Sequence, residues 1–145
     1  EVPELTDGTV ELRAIAREAG SRTKIAVFSN DPNVDPKGAC VGSRGSRVRQ
    51  IVNELKGEKL DVVEWREDKV RFIIEALGPA DIDEVILDED TKSAKVIVKD
   101  SQLSLAIGKE GQNDRLAAKL TGYKIDIEGL GDSPPEEEEP TKEEE

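Results

Sequence analysis

Apolar and charged residues alternate near the start of the chain, a pattern that is typical of a half-buried strand. It covers residues 9–18, and its apolar members are Val10, Leu12, Ala14 and Ala16. Residues 23–29 (TKIAVFS) are rich in β-branched and aromatic side chains and predict a partner strand. Gly20-Ser21 lies between the two segments and predicts a turn. We therefore predict a β-hairpin at the start of the chain.

A breaker-rich loop at residues 30–38 (NDPNVDPKG) leads from the hairpin into a helical segment. Asp35 followed by Pro36 is typical of the N-cap and first residue of a helix. Farther along, apolar residues spaced three and four apart predict one apolar helical face, and glycines end both helices. The predicted elements are helices over residues 37–41 and 46–56, which stop at Gly42 and Gly57, and a strand over residues 60–65.

The second half of the chain predicts the same order of elements behind an additional helix. That helix covers residues 68–77, and its predicted apolar face consists of Val70, Ile73, Ile74 and Leu77. Two strands follow around the acidic turn DED. They are predicted over residues 81–87 and 94–99. The remaining predictions are a helix capped by Asp100 or Ser101 and broken at Gly108, a helix over residues 112–120, and a strand over residues 123–127.

The two halves share a sequence repeat, which is the most informative feature of the chain. ACVGSRGSRVR (39–49) and LAIGKEGQNDR (105–115) both read Gly-x-x-Gly with an arginine four residues after the second glycine. Both continue to a glycine followed by x-Lys-apolar-Asp-apolar, as GEKLDV (57–62) and GYKIDI (122–127). One Gly-x-x-Gly alone is as consistent with an ordinary helix–helix turn as with a functional loop. Two copies in the same context indicate a repeated functional unit.

Gly-x-x-Gly before a helix suits the binding of phosphate. The first turn of that helix has free N–H groups at the positive end of its dipole, and glycine lets an anion approach the backbone. The candidate binding residues of the first loop are Gly42, Ser43, Arg44, Gly45, Ser46, Arg47 and Arg49. Those of the second loop are Gly108, Lys109, Glu110, Gly111, Gln112, Asn113, Arg115 and Lys119. The predicted floor of a groove for bases consists of Ala39, Val41, Ala106 and Ile107.

Gly-x-x-Gly between two helices beside a three-stranded sheet resembles the KH domain, whose loop clamps the backbone of about four nucleotides of single-stranded nucleic acid. Longer segments sharpen the resemblance. DPNVDPKGACVGSRGSRV, IVNELKGEKLDVVEW and QLSLAIGKEGQNDRLAAKLTG resemble the tandem KH region of the NusA family of bacterial transcription factors, over roughly residues 1–128. The resemblance implies an α/β (α+β) fold of two tandem prokaryotic type II KH domains. These are residues 1–66, which lack the leading helix, and residues 67–128.

The same resemblance implies binding of single-stranded, nascent RNA by both loops, without catalysis and without a cofactor. It implies a role in transcription elongation, termination and antitermination in the bacterial cytoplasm. It implies RNA polymerase and other Nus-type factors as partners of the full-length protein. It does not imply binding to a membrane. Asp114 stands where the family more often has alanine. With Glu110 in the loop, it predicts weaker RNA binding by the second unit than by the first.

Charge and composition exclude several classes of protein. The chain has 33 acidic residues against 21 Lys and Arg, no His and one Cys, which excludes His-based catalysis, an internal disulfide and a Cys-rich zinc site. No apolar run approaches the roughly 20 residues that span a bilayer. The first residues show no signal-peptide pattern and no Met, so we expect a piece of a longer protein. Residues 129–145 hold eight acids and one Lys and predict a disordered acidic tail.

Each candidate residue also has a simpler interpretation. The arginines of the first loop can be solvated, although no acid lies between Lys37 and Glu54, which favours a phosphate patch. Arg115 and Lys119 are as consistent with a solvated helix face as with an RNA-binding face. Cys40 is expected to pack in the core, because no His is present to activate it. Trp65 is expected to pack between the two units rather than stack on a base.

Two other functions stay open from the sequence. A ribosome-associated KH protein fits the same loops, although such proteins usually carry one KH unit. A protein–protein scaffold fits the acidic residues 81–90 and 132–145. The acidic tail either solubilises the chain or competes with RNA for the basic loops.

Overall fold

A computed structural model describes residues 2–130, and its elements follow the predicted order in both halves. The helices are α1 (Pro3–Thr6), α2 (Pro36–Val41), α3 (Ser46–Glu54), α4 (Lys69–Ala76), α5 (Asp100–Ile107) and α6 (Gln112–Thr121). The strands are β1 (Val10–Glu18), β2 (Arg22–Ser29), β3 (Lys59–Glu64), β4 (Glu84–Asp88), β5 (Ser93–Val98) and β6 (Lys124–Gly129). The single turn α1 was not predicted from the sequence.

Each half forms a mixed three-stranded sheet of the same topology. The strand orders are β1-β2-β3 and β4-β5-β6. In both sheets the first pair is antiparallel and the second pair is parallel. The parallel pairs start at equivalent positions, with Arg22 opposite Lys59 and Ser93 opposite Lys124. The sequence repeat is therefore a repeat of structure, and the predicted mixed α/β fold is confirmed.

Strand β1 departs from the predicted alternation. The register shifts between Leu12 and Ala14, and a bulge of this kind moves the following side chains to the opposite face. As a result Val10 packs towards the first unit's own helices, whereas Ala16 packs towards the second unit. Leu12 and Ile15 are exposed. The predicted alternation of Val10, Leu12, Ala14 and Ala16 therefore does not give one continuous buried face.

Two local predictions about helices are also wrong. The carboxylate of Asp68 caps α4 by accepting the N–H of Val70 at 2.9 Å, but the buried face of α4 consists of Phe72, Ile73 and Ala76. Ile74, predicted on that face, is exposed. Neither Asp100 nor Ser101 is the N-cap of α5, because the chain becomes helical one residue earlier. The N-cap is Lys99, which makes no side-chain capping bond.

The two units share one apolar core. Ala16, Ala26 and Val63 of the first sheet belong to the same buried cluster as α4, α6 and the second sheet. A smaller cluster around Val27 and Cys40 fills the space under α2. Both faces of β2 are thus covered. The alanines leave room for α6 to lie close against the first sheet, so the two units pack as one body.

Trp65 lies where the two units meet, as the sequence predicts. Its ring centroid is 5.7 Å from that of Phe28 and 6.2 Å from that of Phe72. The guanidinium of Arg13 lies 4.5 Å from the Trp65 ring centroid. Trp65 therefore packs between units, with a cation–π contact on its outer side. Cys40 is buried, as predicted, and burial raises the pKa of its thiol.

Equivalent residues fasten the hairpin turn to the last strand in both units. Glu58, just before β3, is buried and accepts two bonds of 2.8 Å from Arg17 and one of 3.0 Å from the Gly20 N–H. Hydrogen bonding by Arg17, followed by the hydrogen bond from Thr23, lowers the pKa of Glu58 to about 2. At the matching position of the second unit, the Tyr123 hydroxyl donates to Glu89 at 2.6 Å.

The end of the last strand corrects one boundary. Gly129 belongs to β6, and the Leu130 N–H donates to the carbonyl of Val98 at 2.9 Å. Backbone pairing with β5 thus extends two residues into the predicted tail. The rest of that predicted tail, residues 131–145, lies outside the described residues. Within residues 2–130, no helix is both long and apolar enough to cross a membrane.

Candidate nucleic-acid interface

The two Gly-x-x-Gly loops have the same backbone conformation. The first glycines, Gly42 and Gly108, have φ/ψ of 79°/170° and 82°/168°. The third residues, Arg44 and Glu110, are left-handed at 54°/32° and 57°/27°. Each loop forms one 3₁₀ turn between two helices. Two segments that share few side chains thus adopt one geometry, which indicates that the glycines set it.

The first glycine of each loop is required by the closeness of the next helix. A Cβ on Gly42 would lie 2.8 Å from the backbone nitrogen of Arg47, and one on Gly108 would lie 2.6 Å from that of Asn113. Real Cβ atoms do not approach a backbone nitrogen so closely. The positive φ adds a second reason, because glycine adopts this region without strain. The loop thus holds the helix N-terminus against the end of the preceding helix.

The arginine that follows each loop has a structural role. The guanidinium of Arg115 donates to the carbonyl of Glu110 at 2.9 Å, and that of Arg49 donates to the carbonyl of Arg44. Each arginine therefore ties down the left-handed residue of its own loop. This contact explains why both copies of the repeat carry an arginine at the same spacing.

The start of each following helix has no capping side chain. The N-cap residues of α3 and α6 are Gly45 and Gly111, and neither makes a side-chain capping bond. Ser43, Arg44, Lys109 and Glu110, the variable residues of the loops, lie at the surface. The positive end of each helix dipole thus faces a loop that carries one cation at the surface. Arg44 supplies that cation in the first unit, and Lys109 supplies it in the second.

A groove runs beside each loop. The first has a volume of about 400 Å³, and its apolar lining includes Val41, Val48, Leu60 and Val62. The second has a volume of about 510 Å³ and is lined by residues of both units, with Leu105 as its apolar wall. Pro79 lines both grooves. The two grooves therefore meet at the segment between α4 and β4.

Lys24 fixes that segment from the first unit. Its side chain is fully buried, and its Nζ lies 3.2 Å from the carbonyl oxygen of Gly78 and 3.3 Å from Asp61 Oδ2. Burial lowers the pKa of this amine, although the Asp61 carboxylate opposes the shift. Arg22 also pairs with Asp61, at 2.8 Å. A charged network thus joins the two units directly beneath the place where the grooves meet.

A second contact between the units lies at the second loop. Glu18, at the end of β1, accepts from Gln112 at 3.0 Å and from two nitrogens of Arg115. These bonds, that of Arg115 first, lower the pKa of Glu18 to about 2. Gln112 also donates to the Ser21 hydroxyl at 2.7 Å. The hairpin turn of the first unit therefore supports the loop of the second.

Residues 1–65 match the family described as the NusA-like first KH domain, and residues 69–134 match the NusA-like second KH domain. The chain belongs to the NusA-like tandem KH family. It is 61% identical over 133 residues to the transcription termination/antitermination protein NusA of Bacillus subtilis, covering 92% of this chain and 36% of that protein. It is 52% identical over 128 residues to NusA of Thermus thermophilus, covering 88% of this chain and 33% of that protein.

The chain thus spans about a third of the length of the curated NusA relatives that it matches. Among solved structures, it resembles the crystal structure of APE1850 with a TM-score of 0.62 and 24% identity, covering 88% of this chain and 94% of the other. That likeness concerns the fold alone. The family match and the fold agree on two KH units.

The KH loops bring together only part of the residue set predicted from sequence. Arg44, Lys109, Ser43 and Glu110 lie at the surface of the loops, and Lys119 is exposed on α6. Other predicted residues are engaged inside the protein. Arg47 donates to Glu4 at 2.8 Å and to the carbonyl of Ala39 at 2.7 Å. Asn113 is buried, and its amide donates at 2.9 Å to the carbonyls of Leu77 and Ala106.

The predicted groove floor is only partly placed along the KH grooves. Val41 lines the first groove. Ala106 is fully buried, and Ala39 packs against the smaller core cluster. Ile107 is half-buried and does not line the second groove, where Leu105 takes the apolar place. No sequence signal indicates this exchange, because it depends on how α5 is rotated.

No metal site accompanies the KH loops in the described part of the chain. Residues 2–130 contain no group of three or more His, Cys, Asp or Glu side chains that could hold an ion. In the acidic turn, Asp88 accepts the N–H groups of Asp90 and Thr91 at 3.0 and 3.3 Å. The carboxylate of Asp88 thus stabilises the turn itself. Asp114 is half-buried, and burial followed by the nearby Asp126 raises its pKa.

Proposed function

We propose that this chain binds single-stranded RNA through both Gly-x-x-Gly loops, as the RNA platform of a bacterial transcription termination/antitermination factor. The observation that carries the proposal is the pair of loops with closely similar backbone angles, each followed by a helix without a capping side chain and each carrying one cation at the surface. Phosphates would bind at Arg44 and Lys109, beside the positive ends of the α3 and α6 dipoles. The first N–H of each helix, that of Ser46 and that of Gln112, already donates to the loop carbonyl of Ser43 or Lys109. Bases would lie in the adjoining grooves, whose apolar walls suit them.

The meeting of the grooves at Pro79 supports one continuous path for a single strand. We take residues 1–66 and 67–128 as its two halves. Binding requires no cofactor and no catalytic step in this proposal. Action on RNA polymerase and contact with other Nus-type factors would require the full-length protein, in the bacterial cytoplasm.

The test measures fluorescence anisotropy of a labelled 12-nucleotide single-stranded RNA at two salt concentrations. The loop variant carries Ser43→Asp, Arg44→Asp, Lys109→Asp and Glu110→Asp. The matched control carries Lys99→Asp, Ser101→Asp and Lys124→Asp. Both variants change the net charge equally, but the control places its carboxylates away from the loops. Circular dichroism verifies that both variants fold.

We expect the wild type and the control to bind, with an affinity that falls as salt rises. The loop variant is expected to lose binding, because its carboxylates occupy the places of phosphates. Equal binding by all three proteins would show that the loops are not the site. Failure of the wild type to bind several RNAs would favour the protein–protein scaffold instead.

A further inference from the structure

The groove at the second loop is built jointly by the two units. Gly108 and Lys109 of the second unit form one side, and Ser21, Arg22 and Lys59 of the first unit form the other. The hairpin turn and the start of β3 therefore lie opposite a loop that is about 50 residues or more away in the sequence. A strand seated in this groove would touch both units at once.

Lys59 is the available cation on the first unit's side. It is exposed, and its backbone N–H donates to the Ser21 carbonyl at 3.0 Å. Its ammonium forms no ion pair or hydrogen bond with any residue between 2 and 130. Arg22, beside it, is held in place by the Asp61 carboxylate, with Nη1 2.9 and 2.8 Å from the two oxygens. The groove thus offers an exposed lysine and a fixed arginine opposite Lys109.

The repeat provides an internal comparison for Lys59. Lys124 occupies the matching position at the start of β6, where its N–H donates to the Lys92 carbonyl at 2.9 Å. Lys124 lines neither groove, because within residues 2–130 no further unit packs against that end of the second sheet. Equivalent lysines therefore differ in what they face. Lys59 faces a loop, and Lys124 does not.

The two loops differ in charge, and the second loop has less positive charge of its own to bind a phosphate. The left-handed position holds Arg44 in the first loop and Glu110 in the second. In addition, Arg115 of the second unit is occupied by Glu18. The second loop therefore has a weaker positive field of its own. The ammonium of Lys59 adds a positive charge on the opposite side of that groove.

We propose that Lys59, supported by Arg22, forms with Lys109 a phosphate-binding subsite shared by the two units. The ligand is a phosphate of the RNA strand that passes from one loop to the other. This subsite rests on the proposed function, because it assumes that RNA occupies the second groove. It assigns part of the second unit's affinity to the first unit.

The test compares Lys59→Gln with Lys124→Gln in the full chain, using the labelled 12-nucleotide RNA and a salt titration. Loss of one phosphate contact with single-stranded RNA removes about 0.7 from the slope of log K against log salt, which is about four-fold in affinity at ~0.15 M salt. We expect this loss for Lys59→Gln. Lys124→Gln is expected to bind as the wild type does. Lys59→Arg is expected to restore affinity and slope, since it keeps the charge.

The outcomes separate the two proposals. If the wild type binds and the loop variant does not, but Lys59→Gln equals Lys124→Gln in affinity and slope, the shared subsite is overturned while the loops stand. An affinity loss in Lys59→Gln without a change in slope also overturns the subsite, because a phosphate contact must change both. If the wild type does not bind RNA, both proposals fail together.

Discussion

Replacing Gly108 with alanine tests how strongly the loop depends on a missing side chain. At φ 82° and ψ 168°, the residue lies in a region that is essentially restricted to glycine, and another residue there costs about 1–3 kcal/mol. The new Cβ would lie 2.6 Å from the Asn113 nitrogen and 2.8 Å from its Cβ. The start of α6 must therefore move to accommodate it.

That movement also disturbs the amide of Asn113, which holds the carbonyls of Leu77 and Ala106. A buried carbonyl that loses its partner costs about 1–3 kcal/mol. The lower entropy of the unfolded chain with alanine offsets roughly 0.4–1 kcal/mol. We expect Gly108→Ala to lower the free energy of unfolding by about 2–4 kcal/mol.

Gly111→Ala is the matched control within the same loop. Gly111 is left-handed at φ 75° and ψ 12°, and its Cβ would have only an ordinary contact, 3.7 Å from an Arg115 nitrogen. The expected cost is about 1 kcal/mol, because only the left-handed backbone is strained. Urea titration followed by the fluorescence of Trp65, the single tryptophan, measures both variants. Equal losses, or a larger loss for Gly111→Ala, would refute the steric argument.

Two further predictions concern the charged contacts. Lys24→Met should lower the free energy of unfolding by about 2 kcal/mol, because the carbonyl of Gly78 loses its buried donor; urea titration against the exposed Lys95→Met checks this, and equal stability of the two variants would contradict it. Glu58 has a pKa of about 2, below its ordinary value of 4.5, so its contribution to stability is complete above pH 4.5 and is lost as the pH falls towards 2. From pH 7 to 4.5 and 3, the urea midpoint should therefore fall less steeply for Glu58→Gln than for the wild type. Parallel curves would exclude Glu58 as a cause of the loss of stability at low pH.

The local elements could be predicted from sequence because their signals are local. Asp35 caps α2 as predicted, by accepting the Lys37 N–H at 3.1 Å, and glycines cap the ends of α2, α5 and α6. The predicted end of α3 at Gly57 is wrong, because that helix ends at Glu54 with Leu55 as its C-cap. Apart from the packing of Trp65, the contacts between the units could not be predicted. Glu18 and Arg115 lie 97 positions apart, and no periodicity relates them. Ala16 and Ala26 read as ordinary strand residues, although their small size admits α6.

The candidate site was predictable for its backbone and less so for its side chains. Two copies of Gly-x-x-Gly were enough to place both loops. The partner of each arginine could not be predicted. Arg47, for example, donates to Glu4, which lies in a helical turn that the sequence did not predict. Arg49 supports its own loop by donating to the Arg44 carbonyl, although its position in the sequence is equally consistent with a surface ion pair. Arginine spacing alone does not distinguish a ligand contact from an internal one.

The shared apolar core has a consequence for how this protein can be divided and altered. Ala16, Ala26 and Val63 are buried by the other unit, so a cut between residues 66 and 67 would expose them and leave each half without part of its interior. We therefore expect the pair to unfold in a single cooperative transition. Although the two units repeat one topology, each depends on the other for part of its core, so one unit cannot replace the other. Replacing either half with that of a distant relative would require Ala16 and Ala26 to be exchanged together with α6, which packs against them.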